Sequence, residues 1–195
     1  VEEYAYNGKR YSIRETLNAV IPDIPSLQSV VVVSRNTPSS GADTLRFHSV
    51  WTWDEFVSTT DAVKFAFDHF PFDHPLFIMY SSGTTGLPKC IVHGAGGTLL
   101  QHHKEHALHT DIGPEDVVFY YTTCGWMMWN WLASVLAQQA TIVLYEGSPG
   151  FPSLNALWDL TEEAGITVFG TSPKFLSQNL KQGMKPSTSH DFSSL

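Results

Sequence analysis

The run Tyr80-Ser81-Ser82-Gly83-Thr84-Thr85-Gly86-Leu87-Pro88-Lys89 places two serines, two threonines, two glycines and a lysine between two apolar segments. Gly83 and Gly86 can take positive φ, which lets successive backbone N–H groups point into one concavity. The hydroxyls of Ser81, Ser82, Thr84 and Thr85 add donors, Lys89 adds a mobile ammonium, and no carboxylate interrupts the run. Such a loop suits a polyphosphate. The Walker A pattern does not fit. Pro88 stands where that motif needs glycine, Cys90 follows where it needs Ser or Thr, and the next segment reads as a strand where a Walker loop opens a helix. The plainer reading is a surface loop, because polar, turn-rich clusters are common.

Two other groups could do chemistry. Thr122-Thr123-Cys124-Gly125-Trp126-Met127-Met128-Trp129-Asn130-Trp131 concentrates aromatic and thioether side chains. Packed core is one reading of it; a ligand edge is the other, because Gly125-Trp126 falls in the loop after a predicted strand. The second group is His102, His103, His106 and His109, on a helix predicted over about Thr98–His109. His102 and His106 have the i, i+4 spacing of a metal pair. No HExxH pattern accompanies them and no third ligand is evident, so a histidine-rich polar face is the preferred reading and no metal site is assigned. His93 ends a predicted strand. It is either a satisfied strand-end histidine or a neighbour of a bound nucleotide, and it is not read as a general base. The serine-hydrolase elbow G-x-S-x-G is absent.

Tyr80–Lys89 resembles the phosphate-binding signature of the adenylate-forming superfamily, which includes acyl-CoA synthetases, luciferases and peptide-synthetase adenylation domains. Thr122–Trp131 is similar to the acetoacetyl-CoA synthetase family within it. Acetyl-CoA synthetases share the Gly-Trp pair but not the Met-Met-Trp-Asn-Trp that follows. The resemblance is weak before Pro71 and strong from there to about Pro173.

The resemblance implies an AMP-forming acid–thiol ligase using ATP, Mg2+ and coenzyme A, with acetoacetate or a similar short acid as substrate. It implies that Ser81, Ser82, Gly83, Thr84, Thr85, Gly86 and Lys89 hold the ATP phosphates. It also implies that Gly125, Trp126, Met127 and Met128, with His93 as a candidate, border the acyl and coenzyme A site, where soft methionines suit a four-carbon keto acid. No residue is assigned as a nucleophile or a metal ligand.

The chain departs from the family by omission. The Tyr/Trp-x-x-Thr-Glu motif for adenine and Mg2+, the Thr-Gly-Asp ribose motif and the small C-terminal domain with its lysine are not found. The chain begins at Val1 and stops at Ser193-Ser194-Leu195 without a closing element, so both ends are expected to be cut from a longer protein. The expected partner is the remainder of that parent chain, and the fragment alone is expected not to turn over. The alternatives are a non-catalytic nucleotide- or acyl-binding remnant and a truncated gene product.

Composition bounds the rest. With 195 residues and 43% hydrophobic content, the chain can bury one good core. A net charge of −8 argues against a general nucleic-acid surface. Cys90 and Cys124 form neither a disulfide framework nor a metal motif, and free thiols fit a reducing cytoplasm. No membrane span or signal peptide is expected.

The elements that must position these groups are predicted as follows. Asn7-Gly8 marks a type I′ hairpin. A short helix spans 13–20 and ends before Pro22, a strand spans Ser29–Ser34, and a loop spans Asn36–Asp43. Thr52 and Glu55 form a capping box for a helix to about Thr60. Leu76–Tyr80 reads as a buried strand, Cys90–His93 as a second, and Gly94–Gly97 as a flexible turn. From Gly113, strands at Val117–Tyr121, Thr141–Tyr145 and Thr167–Gly170 alternate with helices at Met127–Gln139, Ser153–Ala164 and Pro173 to about Gln182. This is an α/β pattern with a mostly parallel sheet, as in the large N-terminal domain of the family. The expected divisions are 1–70 as a peripheral segment, 71–184 as the phosphate-loop and α/β core segment, and 185–195 as a frayed tail.

Overall fold

The computed structural model describes residues 3–33, 45–57, 66–81 and 86–195. The chain divides into two compact units, Val1–Ala66 and Phe67–Leu195.

In the first unit, β1 (Glu3–Tyr6) and β2 (Lys9–Ser12) form an antiparallel hairpin with Tyr6 opposite Lys9. Asn7 and Gly8 take φ of 52° and 75°, the two left-handed positions of the predicted type I′ turn. Helix α1 (Arg14–Val20) continues into a 3-10 turn, Ile21–Asp23, that accommodates Pro22 at its start. β3 (Val30–Val32) pairs in parallel with β4 (Val50–Thr52). Thr52 then caps α2 (Trp53–Phe56): the Glu55 amide donates to Thr52 Oγ1 at 3.3 Å and the Thr52 amide donates to Glu55 Oε2 at 2.9 Å. α2 is a single turn, and the predicted continuation to Thr60 falls outside the described residues, as does the Asn36–Asp43 loop.

The second unit opens with β5 (Pro75–Ser81) and β6 (Lys89–Gly94), an antiparallel pair. β5 is not the buried strand its apolar run suggests. Phe77 and Met79 are half-buried on one face, while Leu76, Ile78 and Tyr80 on the other are 49%, 61% and 70% exposed. A continuous apolar run carries no alternation to say which face is covered. Gly94 ends β6 and caps α3 (Ala95–Lys104), so the glycines predicted as a flexible turn sit at a helix start. The structural reason is anchoring: the Ala95 and Gly96 amides each donate at 2.8 Å, to the carbonyls of His74 and Phe72. α3 widens into a π turn over Glu105–His109, from which the His106 carbonyl accepts the Ile112 amide at 2.8 Å.

The remaining elements alternate as predicted: β7 (Val117–Tyr120), α4 (Met127–Ser134) with a 3-10 turn Val135–Gln138, β8 (Thr141–Val143), α5 (Ala156–Glu163), β9 (Val168–Gly170) and α6 (Pro173–Lys181). The strands form a parallel sheet in the order β8-β7-β9. β7 lies in the middle and is covered on both faces. Val118 packs with Leu132 and Val135 of the α4 segment, and its neighbour Phe119 packs on the other side with Leu157, Trp158 and Phe175 of α5 and α6. This alternation is what places helices on both sides of a parallel sheet. Gly170 is required by crowding, since a Cβ there would lie 2.1 Å from the ring of Tyr120, its partner across the ladder. Ser172 caps α6, with the Phe175 amide donating to its Oγ at 3.3 Å, and Pro173 fills the first helical position.

The tail expected to fray is tied down. His190 Nε2 meets Asp159 Oδ1 at 2.8 Å, Phe192 packs at 5.8 Å from Trp158, and Ser194 Oγ donates to the Ile166 carbonyl at 3.1 Å. Its Ser and Thr content suggested fraying, but the rings of His190 and Phe192 and the polar anchors of His190 and Ser194 outweigh composition. Among the described residues no helix is long and apolar enough to cross a membrane.

Candidate functional site

The hairpin register sets the first part of the site. Ser81, the last residue of β5, stands opposite Lys89, the first of β6, so the connection 82–88 leaves and re-enters one ladder position. Of its predicted phosphate-binding residues, Ser82, Gly83, Thr84 and Thr85 lie outside the described residues. Gly86 is described, and a Cβ there would meet nothing within 4 Å among the described residues. Lys89 is exposed, and among the described residues it has no carboxylate partner.

The second part is a cavity of about 600 Å³ between the end of β6, α3 and the start of α4. His93 of β6, Met127 and Met128 of α4, and Trp131 one turn further all line it. α3 supplies Thr98, Gln101, His102 and Glu105. Gly125 and Trp126, predicted to share this pocket, precede α4 and are not among its lining residues; Trp126 is 59% exposed. The helical spacing 98, 101, 102, 105 is one face of a helix. Thr98, Gln101 and Glu105 of this face, and Trp131 of α4, are lining residues that the sequence reading does not single out, because only the packing of α3 beside α4 brings them together.

Each histidine of this region has a distinct position. His106 is fully buried, with Nε2 2.8 Å from Ser134 Oγ and its ring edge-on to Trp131 at 4.7 Å. His103 Nδ1 lies 2.8 Å from Gln138 Nε2. His102 is half-buried beside His106, ring centroids 6.1 Å apart, and lines both the large cavity and an adjoining one of about 340 Å³ bounded by Phe77 and Asn130. Burial pushes the His102 pKa down, the nearby His93 pushes it the same way, and Glu105 opposes them. His106 is lowered by burial first and then by His102. Glu105 is held by Gln101 Nε2, which donates to its Oε1 at 2.8 Å, and by Lys104 Nζ at 3.4 Å.

A further depression of about 450 Å³ lies at the carboxyl ends of β7 and β8. Tyr121, Thr122, Thr123 and Cys124 line one side and Tyr145 and Glu146 the other. This is the ligand edge expected of an open parallel sheet. Burial raises the pKa of Tyr145, whose hydroxyl donates to the Ser148 carbonyl at 3.2 Å.

These features define an α/β chain with a methionine-lined cavity and, at the other end of the β6 strand that reaches it, the serine- and lysine-bearing run. The family model described as AMP-binding enzyme matches residues 11–195, and the chain belongs to that family. It is 46% identical over 199 residues to an acetoacetyl-CoA synthetase of Xenopus tropicalis and 47% identical over 194 residues to that of Rattus norvegicus. These alignments cover 100% and 98% of the chain but 30% and 29% of the relatives. A malonamoyl-CoA synthetase of Penicillium aethiopicum is 44% identical, over 88% of this chain and 26% of its own length. Among solved structures, an acetoacetyl-CoA synthetase from Streptomyces lividans superposes with a TM-score of 0.85 at 40% identity, covering 100% of this chain and 29% of that one. The chain therefore spans somewhat under a third of the relatives it matches.

Proposed function

We propose that this chain is the phosphate-loop and acyl-cavity segment of an ATP-dependent, AMP-forming acid–thiol ligase. The reading is carried by one observation: β6 begins at Lys89, the last residue of the proposed phosphate-binding run, and four residues on places His93, the residue before its end at Gly94, in the wall of the cavity that also takes Met127 and Met128. A single strand thus spans from a polyphosphate holder to an acid holder. The acetoacetyl and malonamoyl groups named for the relatives share a carbonyl β to the carboxylate, so the substrate class is a short 3-oxo acid, acetoacetate foremost.

In the first step a carboxylate oxygen of the acid attacks the α-phosphorus of ATP, the bond to the β-phosphate oxygen breaks, and pyrophosphate leaves. In the second the thiol of coenzyme A, losing its proton, attacks the acyl carbon and AMP leaves. The first step gathers anionic oxygens, so its cost is electrostatic, and preorganised donors lower it. Ser81, Ser82, Gly83, Thr84, Thr85 and Gly86 offer hydroxyls and amides to the β- and γ-phosphates, and Lys89 offers a positive charge. Met127 and Met128 pack the carbon chain, Gly125 and Trp126 border the approach of the pantetheine thiol, and His93 lies beside the acid. ATP brings Mg2+ with it. Among the described residues no three or more His, Cys, Asp or Glu side chains gather as metal ligands. The rest of the parent chain supplies the remaining site, the isolated segment does not turn over, and a cytoplasmic setting fits the two free cysteines.

The test is acid-dependent release of pyrophosphate by the full-length protein, with acyl-CoA formed in equal amount, across acetate, acetoacetate, butyrate and longer acids. Release that is strongest with acetoacetate supports the proposal; no release with any acid refutes it.

A further inference from the structure

The cavity beside Met127 and Met128 is not uniformly apolar, and its polar groups differ in what they have left to offer. Thr98 Oγ1 donates its one hydrogen to the Gly94 carbonyl at 2.8 Å. Gln101 is exposed and its amide holds Glu105. Glu105 can only accept. Trp131 is fixed as wall by edge contacts to His106 at 4.7 Å and Tyr120 at 6.0 Å. Among the described residues, the two cavity imidazoles, His93 and His102, make no side-chain hydrogen bond. They differ in place. His93 is on β6, four residues beyond Lys89, and is the cavity imidazole nearer along the chain to the proposed phosphate loop. His102 is on α3, seven residues beyond Ala95 and hence about 10 Å along the helix axis at 1.5 Å per residue.

We propose that His102 determines specificity by donating its imidazole N–H to the 3-oxo oxygen of the acid, so that the site prefers a 3-oxo acid over its deoxygenated counterpart. This rests on the proposed function and names the residue that would read its substrate class. A further feature fits. Burial and the neighbouring His93 lower the His102 pKa, which favours the neutral imidazole, a donor that brings no cation into the pocket. A buried donor left without its oxygen is what makes such a site discriminate, whereas apolar walls separate acids of equal length poorly.

The experiment compares kcat/KM for acetoacetate and for butyrate, which lacks only the oxo oxygen, in the full-length protein and its variants. The unmodified protein should prefer acetoacetate. His102→Leu should lower the acetoacetate-to-butyrate ratio roughly tenfold, chiefly by weakening acetoacetate, as for one lost hydrogen bond. His102→Gln, which keeps a neutral donor, should retain most of the ratio. It also decides the matter if the leucine variant gives no measurable turnover. Trp131→Phe, which removes the indole N–H and keeps an aromatic wall, should leave the ratio in place. Three results overturn the inference: an unmodified protein that uses both acids alike, His102 variants that lose both acids in equal proportion, or a ratio that falls with Trp131→Phe and not with His102→Leu. A protein that releases no pyrophosphate with any acid would instead refute the proposed function itself.

Discussion

Replacing Lys89 by alanine in the full-length protein isolates the charge of the phosphate loop. Lys89 opens β6 opposite Ser81, so its Cα is held by the strand ladder and the substitution removes a side chain without freeing the backbone. No carboxylate among the described residues pairs with it, so the variant leaves no buried anion uncompensated. The loss expected from the proposed role is then that of the phosphate contact alone. A hydrogen bond to a charged group contributes about 1.5–3 kcal/mol, which corresponds to a fall in kcat/KM for ATP of roughly 10- to 150-fold. The assay is pyrophosphate release at saturating acid over a range of ATP concentrations. Lys89→Arg should recover part of the loss, because it restores the charge with a different donor geometry. The difference between wild type and Lys89→Ala should shrink as salt rises, since the site is open enough for ions to screen it. An ATP dependence that changes less than about threefold, with normal thermal unfolding, would remove Lys89 from its assigned role.

Met128→Trp should crowd the cavity and lower activity on acetoacetate more than on acetate; an unchanged ratio of the two refutes the cavity assignment. Asn179→Leu should destabilise the second unit by about 1–3 kcal/mol, because Trp158 Nε1 donates to Asn179 Oδ1 at 2.9 Å in a buried site and would be left unpaired. Denaturant unfolding followed by tryptophan fluorescence reads it. Two histidines should titrate on opposite sides of the ordinary value of 6.5 in NMR spectra. His190 should lie above, because it donates to the Asp159 carboxylate, and His106 below, because burial disfavours its cation. The stability His190 adds is therefore full below 6.5 and lost as pH rises through its raised pKa. The stability tied to neutral His106 is present above 6.5 and lost as pH falls through its lowered pKa. Asp159→Asn should weaken the first dependence, since it removes the largest of its causes, and leave the second.

The sequence was most legible where local chemistry and tertiary demand agree. Asn7-Gly8, the Thr52–Glu55 box and Ser172-Pro173 each satisfy backbone groups within a few residues, so they formed as predicted. The parallel sheet was legible because Val117–Tyr120, Thr141–Val143 and Val168–Gly170 alternate with helices over short connections. Legibility failed where a distant partner decides. Nothing local says that the amides of Ala95 and Gly96 find carbonyls near Pro71, or that Phe192 finds Trp158. The same holds for the site. Met127 and Met128 were reachable from a motif, but Trp131 and the face Thr98–Gln101–His102–Glu105 enter the cavity only because α3 packs beside α4. The exposed face of β5 reads as core by composition, because covering it depends on what lies against it and not on the strand.

A structure of the full-length protein with a non-hydrolysable ATP analogue and acetoacetate tests the central claim most directly. The account predicts triphosphate oxygens within hydrogen-bond distance of Lys89 Nζ and the Ser81–Gly86 loop, with the acid's carbon chain against Met127 and Met128. A triphosphate bound elsewhere, with Lys89 directed into solvent, would contradict it.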